Sequence, residues 1–527
     1  MGLFKFIKRL LSVSETSIKD SKQSDEVTVS AEIEPYVSPK KPATKQFQEG
    51  GQRKSTKLSW QMYGKNPTRE TDIVIGFDFG TSCTKVIIQD GVLKKAYAVP
   101  FNGVGCAGNP YLLPTAIAVD YDGNLILGQG GELFDALKIK FLQNPDQSIG
   151  PFNGVTLTAA EATSAYIGLV LRKIREWFWQ EKRSDYQGVK IDWQLNIGMS
   201  SRSYADKILK SQMERLALAG WNLTLKPVDE INVSEVKIAM VSADRQLSEN
   251  IFDEEAQQLH PDNICSIPEI IAQVVGYARS PMRQDGMYLI VDVGATTIDV
   301  SNFIIHESDG EDLYTILVAE VEKLGASIFH NYRIACAETI IRKFISTAEA
   351  ENFRQKALRT LGLAYDGIAP LPNIEKYFPA LSREALRDYR KNNEEFMVEC
   401  SRVVRKVIKE SRFRRNPNSP AWQEGLPVFL CGGGSQIGMY KNIIPHAQKR
   451  LSHAAFSGFD QKQLPKPVNL ETADIPPRDY HRMSVAYGLS FPCIDIGEII
   501  PPGAVEDLVA NEKILNISGY YVDKDMV

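Results

Sequence analysis

One short device occurs twice in this chain of 527 residues, and it constrains the fold more than any other feature. IGFDFGTSCTKVII, residues 75–88, reads as two apolar strands joined at a tip that carries a carboxylate, a glycine and hydroxyls; MYLIVDVGATTIDVSNFII, residues 287–305, restarts the same grammar. Laying one on the other matches Asp78 with Asp292, Gly80 with Gly294, Ser82 with Thr296 and Val86 with Val300. Two such tips predict two lobes that face one another and clasp a single ligand across a cleft.

The residue types name the ligand's chemistry. Glycine lets backbone N–H groups approach and cradle phosphate oxygens, and hydroxyls add donors. Asp78 and Asp292 would repel one another beside a polyphosphate unless a cation lies between them. Magnesium fits, because it takes oxygen ligands, keeps several waters and bridges phosphates to one or two carboxylates. A single D-x-G-[ST]-[ST] tip is also what an ordinary polar turn looks like. Two copies, followed by the glycine run VFLCGGGSQIG at 428–438, carry more weight.

Between and around these tips strands and helices alternate, so the fold class is α/β. TAIAVDYDGNLILGQ contains the Asp122-Gly123 hairpin signal, TAAEATSAYIGLVLRKIREWFWQEKR has a long helical period, and DWQLNIGMS reads as a strand. YADKILKSQMERLALAG is predicted as a helix that ends at Gly220. In SRVVRKVIKESRFRR, residues 401–415, Val403, Val404, Val407 and Ile408 form a stripe to be buried; Arg402, Arg405, Lys406, Lys409 and Arg412 form a solvated face or a docking patch. The seven cysteines stand far apart with no C-x-x-C pair, which argues against structural zinc and against a disulfide frame.

Residues 1–70 hold thirteen basic and eight acidic side chains, a balance of +5, leaving 48 basic against 57 acidic in the remainder, or −9. An acidic body argues against nucleic acid as the main ligand. Residues 12–69 are too polar to bury a core and are expected to be a disordered tether. Ahead of them, Leu3, Phe6, Ile7, Leu10 and Leu11 share a helical face, with Lys5, Lys8 and Arg9 off it. Residues 1–11 therefore suit a membrane surface, a groove on a partner protein, or no role at all. No run of 18 apolar residues and no signal-peptide pattern is present, so the expected location is cytoplasmic, with peripheral membrane contact open.

The ensemble resembles the superfamily of actin, sugar kinases and the seventy-kilodalton heat-shock chaperones, and most of all the chaperones' nucleotide-binding domain. IGFDFGTSCTKV is similar to the first phosphate motif, IVDVGATTIDVS to the second and VFLCGGGSQIG to the adenosine motif; YLLPTAIAVDYDGNLILG, LFDALKIKFL, IPEIIAQVVGYA, LGASIFHNY and SVAYGLS follow in the family's order over about residues 72–491. The resemblance implies a two-lobed actin-like ATPase fold with duplicated ribonuclease-H-like lobes: lobe I over 71–280, lobe II over 281–475, a helix returning to lobe I over 476–491 and a tail over 492–527. It implies ATP or ADP with magnesium, Asp78 and Asp292 holding the metal through water. Gly80, Thr81, Ser82 and Cys83 would meet the phosphates from one side, and Gly294, Ala295, Thr296 and Thr297 from the other. Lys138, or Lys140, would balance the γ-phosphate, Glu269 would order the metal's water shell and Asp299 would orient the attacking water. Gly432, Gly433, Gly434 and Gln436 would lie beside the adenosine.

Some positions depart from the chaperone pattern. Ala295 and Thr296 replace glycines, Gln436 and Gly438 replace Arg and Pro, and Arg354 and Lys356 are only candidates for the adenine-clasping helix. After SVAYGLS about 37 residues remain, too few for a peptide-binding β-sandwich. The expected function is a slowly hydrolysing, magnesium-dependent ATPase that acts as a switch on a partner protein. An actin-like filament and a non-hydrolysing nucleotide-binding scaffold are the alternatives.

Overall fold

The computed structural model describes residues 67–505, apart from 107–108, 128–132, 226–230, 255–256, 364–381, 452–455, 473–474 and 476. The amphipathic segment 1–11 and nearly all of the tether lie outside the described residues. The exception is its end, because the first strand, β1 (Arg69–Asp78), already begins within the span read as tether.

Each repeated tip belongs to its own mixed sheet. In the first, β1 pairs antiparallel with β2 (Cys83–Asp90), which pairs with β3 (Lys95–Ala98); on its other side β1 runs parallel to β4 (Val189–Met199), and β4 to β5 (Ile264–Pro268). In the second, β6 (Gly286–Val293) pairs antiparallel with β7 (Ile298–Ser308) and β7 with β8 (Glu311–Glu322); β6 runs parallel to β9 (Leu426–Cys431), and β9 to β10 (Phe459–Lys462). The order and sense of these five strands are identical in the two sheets. The central strands β1 and β6 are buried on both faces, as strands with parallel neighbours usually are, and so read as unbroken apolar runs.

Helices cover these sheets. α1 (Leu137–Gln143) is followed by α2 (Ala159–Glu181), which starts at a capping box where Thr158 Oγ1 accepts from the Glu161 N–H and Glu161 accepts from the Thr158 N–H. α3 (Lys207–Thr224) does not stop at Gly220 as read from sequence; it continues one turn further. Gly220 is there for packing, since a Cβ on it would lie 2.7 Å from Cγ2 of Ile167 on α2, and helices that close leave no room for a methyl group.

Two helices, one against each sheet, pack on one another. α4 (Glu269–Ala278) packs with Tyr288, Ile290, Phe303 and Phe429 of the second sheet. After α5 (Ala326–Phe344) and α6 (Arg383–Glu410), α7 (Ser484–Leu489) packs on β1 and β2 of the first. A Cβ on Gly488 would collide with the Ala272 carbonyl, so α7 and α4 cross in direct backbone contact.

The expected boundaries shift at the C-terminal side. Leu470–Glu471, placed in the second lobe from sequence, forms β11 and pairs with β3 of the first sheet. Glu498–Ile500, read as tail, forms β12 and adds to β8 of the second. Cys265 and Cys493, 228 residues apart, are joined by a disulfide, contrary to the expectation from cysteine spacing. The fold brings β5 and the turn after α7 together, which spacing alone does not reveal. On α6 the stripe of Val403, Val404, Val407 and Ile408 is buried as expected, and Lys406 on the opposite face pairs with Glu320 at 2.7 Å.

Candidate functional site

The β1–β2 and β6–β7 tips line one cavity of about 460 Å³. The first contributes Asp78, Gly80, Thr81, Ser82 and Cys83; the second contributes Asp292, Gly294, Ala295, Thr296, Thr297 and Asp299. Lys138 of α1, Glu269 at the first position of α4 and Gly432, Gly433 and Gly434 after β9 complete the expected set. Gln436 departs from it: its side chain is exposed and does not line the cavity. Arg354 and Lys356 are exposed as well and stay off the wall, Arg354 lying 3.8 Å from Glu338. Lys140 turns away to Asp135 at 2.9 Å, which leaves Lys138, of these two, on the cavity wall.

The tips offer donors. The N–H of Phe79 and of Gly80 close the first tip onto Phe77 and Asp78, whereas those of Thr81 and Ser82 make no hydrogen bond among the described residues. In the second tip the Gly294 N–H is used by Thr297, and the carbonyls of Gly294, Ala295 and Thr296 accept from Ala326, Ser327 and Gly325 at the start of α5. The N–H groups of Ala295, Thr296 and Thr297 are unclaimed among the described residues. A turn pinned through its carbonyls with its N–H groups open is a ready anion cradle. Gly432 stands at φ 80°, and a Cβ there would run into Oδ1 of Asp292, so this backbone comes flush against the carboxylate only as glycine.

Charge is unevenly compensated. Lys85 Nζ donates to Asp78 Oδ2 at 2.8 Å, and Lys138 donates to Glu269 Oε1. Asp292 and Asp299 have no such partner, and the Oδ1 atoms of both are buried without a hydrogen bond among the described residues. Burial, then the Glu269 carboxylate, pushes the Asp292 carboxyl up to about 7, with Asp78 adding to the push and Lys85 opposing it. Burial and then the Asp292 charge hold Asp299 well above the usual carboxylate range. Buried acids in this condition are short of a cation.

A magnesium-bound polyphosphate fits this donor set. No three acidic, histidine or cysteine side chains among the described residues gather closely enough to hold a metal by themselves. An ion here would be shared between phosphate and water oxygens, with Asp78 and Asp292 on its outer side.

Several lining residues escaped the sequence reading. Lys85 is legible in principle, since matching the two tips sets it against Asp299, but nothing in the strand pattern marks it as part of the site. Gln273 of α4 falls within IPEIIAQVVGYA, and His330 and Asn331 of α5 within LGASIFHNY, but the pattern of those stretches does not single these side chains out. Arg482 enters from just before α7, its guanidinium 3.7–3.9 Å from where a Cβ on Gly433 would stand. Among the described residues no helix is long and apolar enough to cross a membrane. No protein-family model matches this chain, and no curated protein matches it.

Proposed function

We propose that the chain is a magnesium-dependent ATPase of the two-lobed actin-like class, built from duplicated ribonuclease-H-like halves, and that it serves as a conformational switch on a partner protein. The single observation that carries this reading is the pair of equivalent tips, each with N–H groups unclaimed among the described residues, turned into one cavity beside Asp292 and Asp299, which have no ion pair among those residues. The identical strand order of the two sheets supports the duplication, and the direct crossing of α4 and α7 supports a hinge between the halves.

Magnesium, when bound, supplies the positive charge that neutralises phosphate oxygens in the transition state. The protein's part is positioning. Thr81, Ser82 and the N–H groups of Ala295, Thr296 and Thr297 hold the phosphates from opposite sides, which aligns the terminal group for in-line attack by water. Asp78 and Asp292 orient the metal's water shell, and Glu269 anchors it from α4. Lys138, which pairs with Glu269 and lines the cavity, supplies a cation for the γ-phosphate. Gly432, Gly433 and Gly434 admit the nucleoside against flat backbone.

One observation favours a second reading, a scaffold that binds without hydrolysing. Burial and the Asp292 charge raise the carboxyl of Asp299, the candidate for orienting water, and so favour its protonated form. A protonated carboxyl donates where an acceptor is wanted. Single-turnover phosphate release separates the two. The principal reading expects slow release that Asp78→Ala and Asp292→Ala abolish together with MgATP binding; unchanged binding in both variants eliminates it.

A further inference from the structure

The first phosphate turn ends in a thiol that has a second thiol beside it. Cys83 Sγ lies 3.6 Å from Cys106 Sγ in a thiol–thiol hydrogen bond, and 3.9 Å from Ser82 Oγ. Cys83 lines the nucleotide cavity, while Cys106 is half-buried in the loop 101–112. The hydrogen bond from Cys106, then Lys85, lowers the Cys83 thiol to about 7 against the opposing effect of burial. The other free cysteines, Cys336, Cys400 and Cys431, are buried, and burial pushes their thiols up. At this pair the lowered thiol belongs to Cys83, itself buried, and the more exposed thiol beside it is Cys106.

Resting on the nucleotide reading of the cavity, we propose that Cys83 and Cys106 are an oxidisable dithiol, which a low-molecular-weight disulfide such as oxidised glutathione converts to a bond that closes the first turn to nucleotide. Cys106, the more exposed thiol, passes its proton to the Cys83 thiolate and attacks one sulfur of oxidised glutathione, forming a mixed disulfide and expelling one glutathione thiolate, which takes that proton from Cys83. The Cys83 thiolate then attacks the Cys106 sulfur, forming the internal bond and expelling the second. The two protons given up by the protein thiols end on the two glutathione thiolates, and the pair's two electrons reduce the one disulfide supplied.

Bond formation moves the site. The sulfurs must close from 3.6 Å to about 2.05 Å. Cys83 cannot give way alone, because its carbonyl is flush against Gly80, where a Cβ would collide with it. Thr115 ties the same turn to the chain beyond the loop, donating N–H to the Ser82 carbonyl at 2.9 Å and Oγ1–H to the Gly80 carbonyl at 2.7 Å, with Thr84 Oγ1 3.3 Å from its hydroxyl. The Cys106 N–H in turn holds the Leu112 carbonyl at 2.7 Å. Strain between the sulfurs therefore passes into Gly80, Thr81 and Ser82, where a displacement of about 1 Å costs on the order of 10²-fold in a positioned reaction.

The test equilibrates the full-length protein in glutathione buffers from fully reducing to fully oxidising, maps disulfides by non-reducing peptide mass spectrometry, and measures MgATP affinity on the same samples. The expected result is a Cys83–Cys106 link under oxidation with at least tenfold weaker MgATP binding, reversed by dithiothreitol. Cys106→Ser should bind MgATP like the reduced wild type and ignore glutathione; Cys106→Ala serves if the serine variant does not fold. Both keep the Cys265–Cys493 pair, so any response they share with the wild type belongs to that bond and counts against the proposal. A peptide map without the Cys83–Cys106 link overturns it, as does the link with affinity unchanged. Reduced protein that ignores MgATP would sink the nucleotide reading and the closure with it, while the map still decides whether the dithiol exists.

Discussion

Across the first hairpin Asp78 faces Lys85, and across the second Asp292 faces Asp299. The backbone register is the same in both, so the difference lies in one side chain at one equivalent position. In the first hairpin the motif carboxylate has its counterion built in; in the second, two acids stand opposed, an arrangement that costs stability unless protons or a cation intervene. The comparison teaches that duplication of the strand pattern did not duplicate its electrostatics. The first hairpin carries its own counterion; on the reading proposed above, the metal that comes with the nucleotide supplies one to the second.

Removing the built-in counterion should have the largest effect. The side chains of Lys85 and Asp78 are 18% and 6% exposed, so Lys85→Ala leaves a buried carboxylate unpaired. We expect a loss of roughly 3 kcal/mol in urea unfolding at pH 8, typical of breaking one partner of a buried pair. The mirror experiment in the second hairpin should give the opposite sign. Asp292→Asn removes a like-charge contact, so the nucleotide-free protein should melt at a higher temperature at pH 8, while MgATP affinity falls on the order of 10²-fold as a metal-orienting group is lost. If both variants destabilise alike, the contrast between the hairpins is broken.

The pH dependence sharpens the same point with a smaller effect. A carboxyl whose folded-state value is raised binds more protons folded than unfolded, so its contribution is present at low pH and is lost as pH rises toward the folded value. With Asp292 raised from 3.8 to about 7 and Asp299 raised as well, nucleotide-free stability should fall between pH 5 and pH 7.5. The slope per group is at most about 1.4 kcal/mol per pH unit. Saturating MgATP should flatten it, as differential scanning calorimetry would show. The smallest effect is expected at Gln436, whose exposed side chain stays off the cavity wall: Gln436→Ala should change stability by less than about 0.5 kcal/mol and leave MgATP affinity alone.

Much of the site was legible because its residues report on local geometry. Asp78 and Asp292 stand at strand ends, Gly80 and Gly294 at the turns, and Glu269 opens a helix, all features with a fixed sequence spacing. What stayed hidden depends on long-range packing. Gly220 looks like a helix stop and is a contact with Ile167; Leu470–Glu471 is too short to announce itself as a strand and is placed by β3. The Cys265–Cys493 and Cys83–Cys106 pairings arise from chain segments that only the fold brings together. Arg482 and His330 are single polar residues on elements whose facing is set by the cavity itself.

We propose that the second hairpin's acids await a cation that comes with a nucleotide. Titrating MgATP into the reduced protein at pH 7, by calorimetry in two buffers of different ionisation enthalpy, tests it most directly. Saturable binding that needs magnesium and releases protons, as Asp292 gives up its own, is the expected result. Absence of binding, or binding indifferent to magnesium with no proton released, would contradict it.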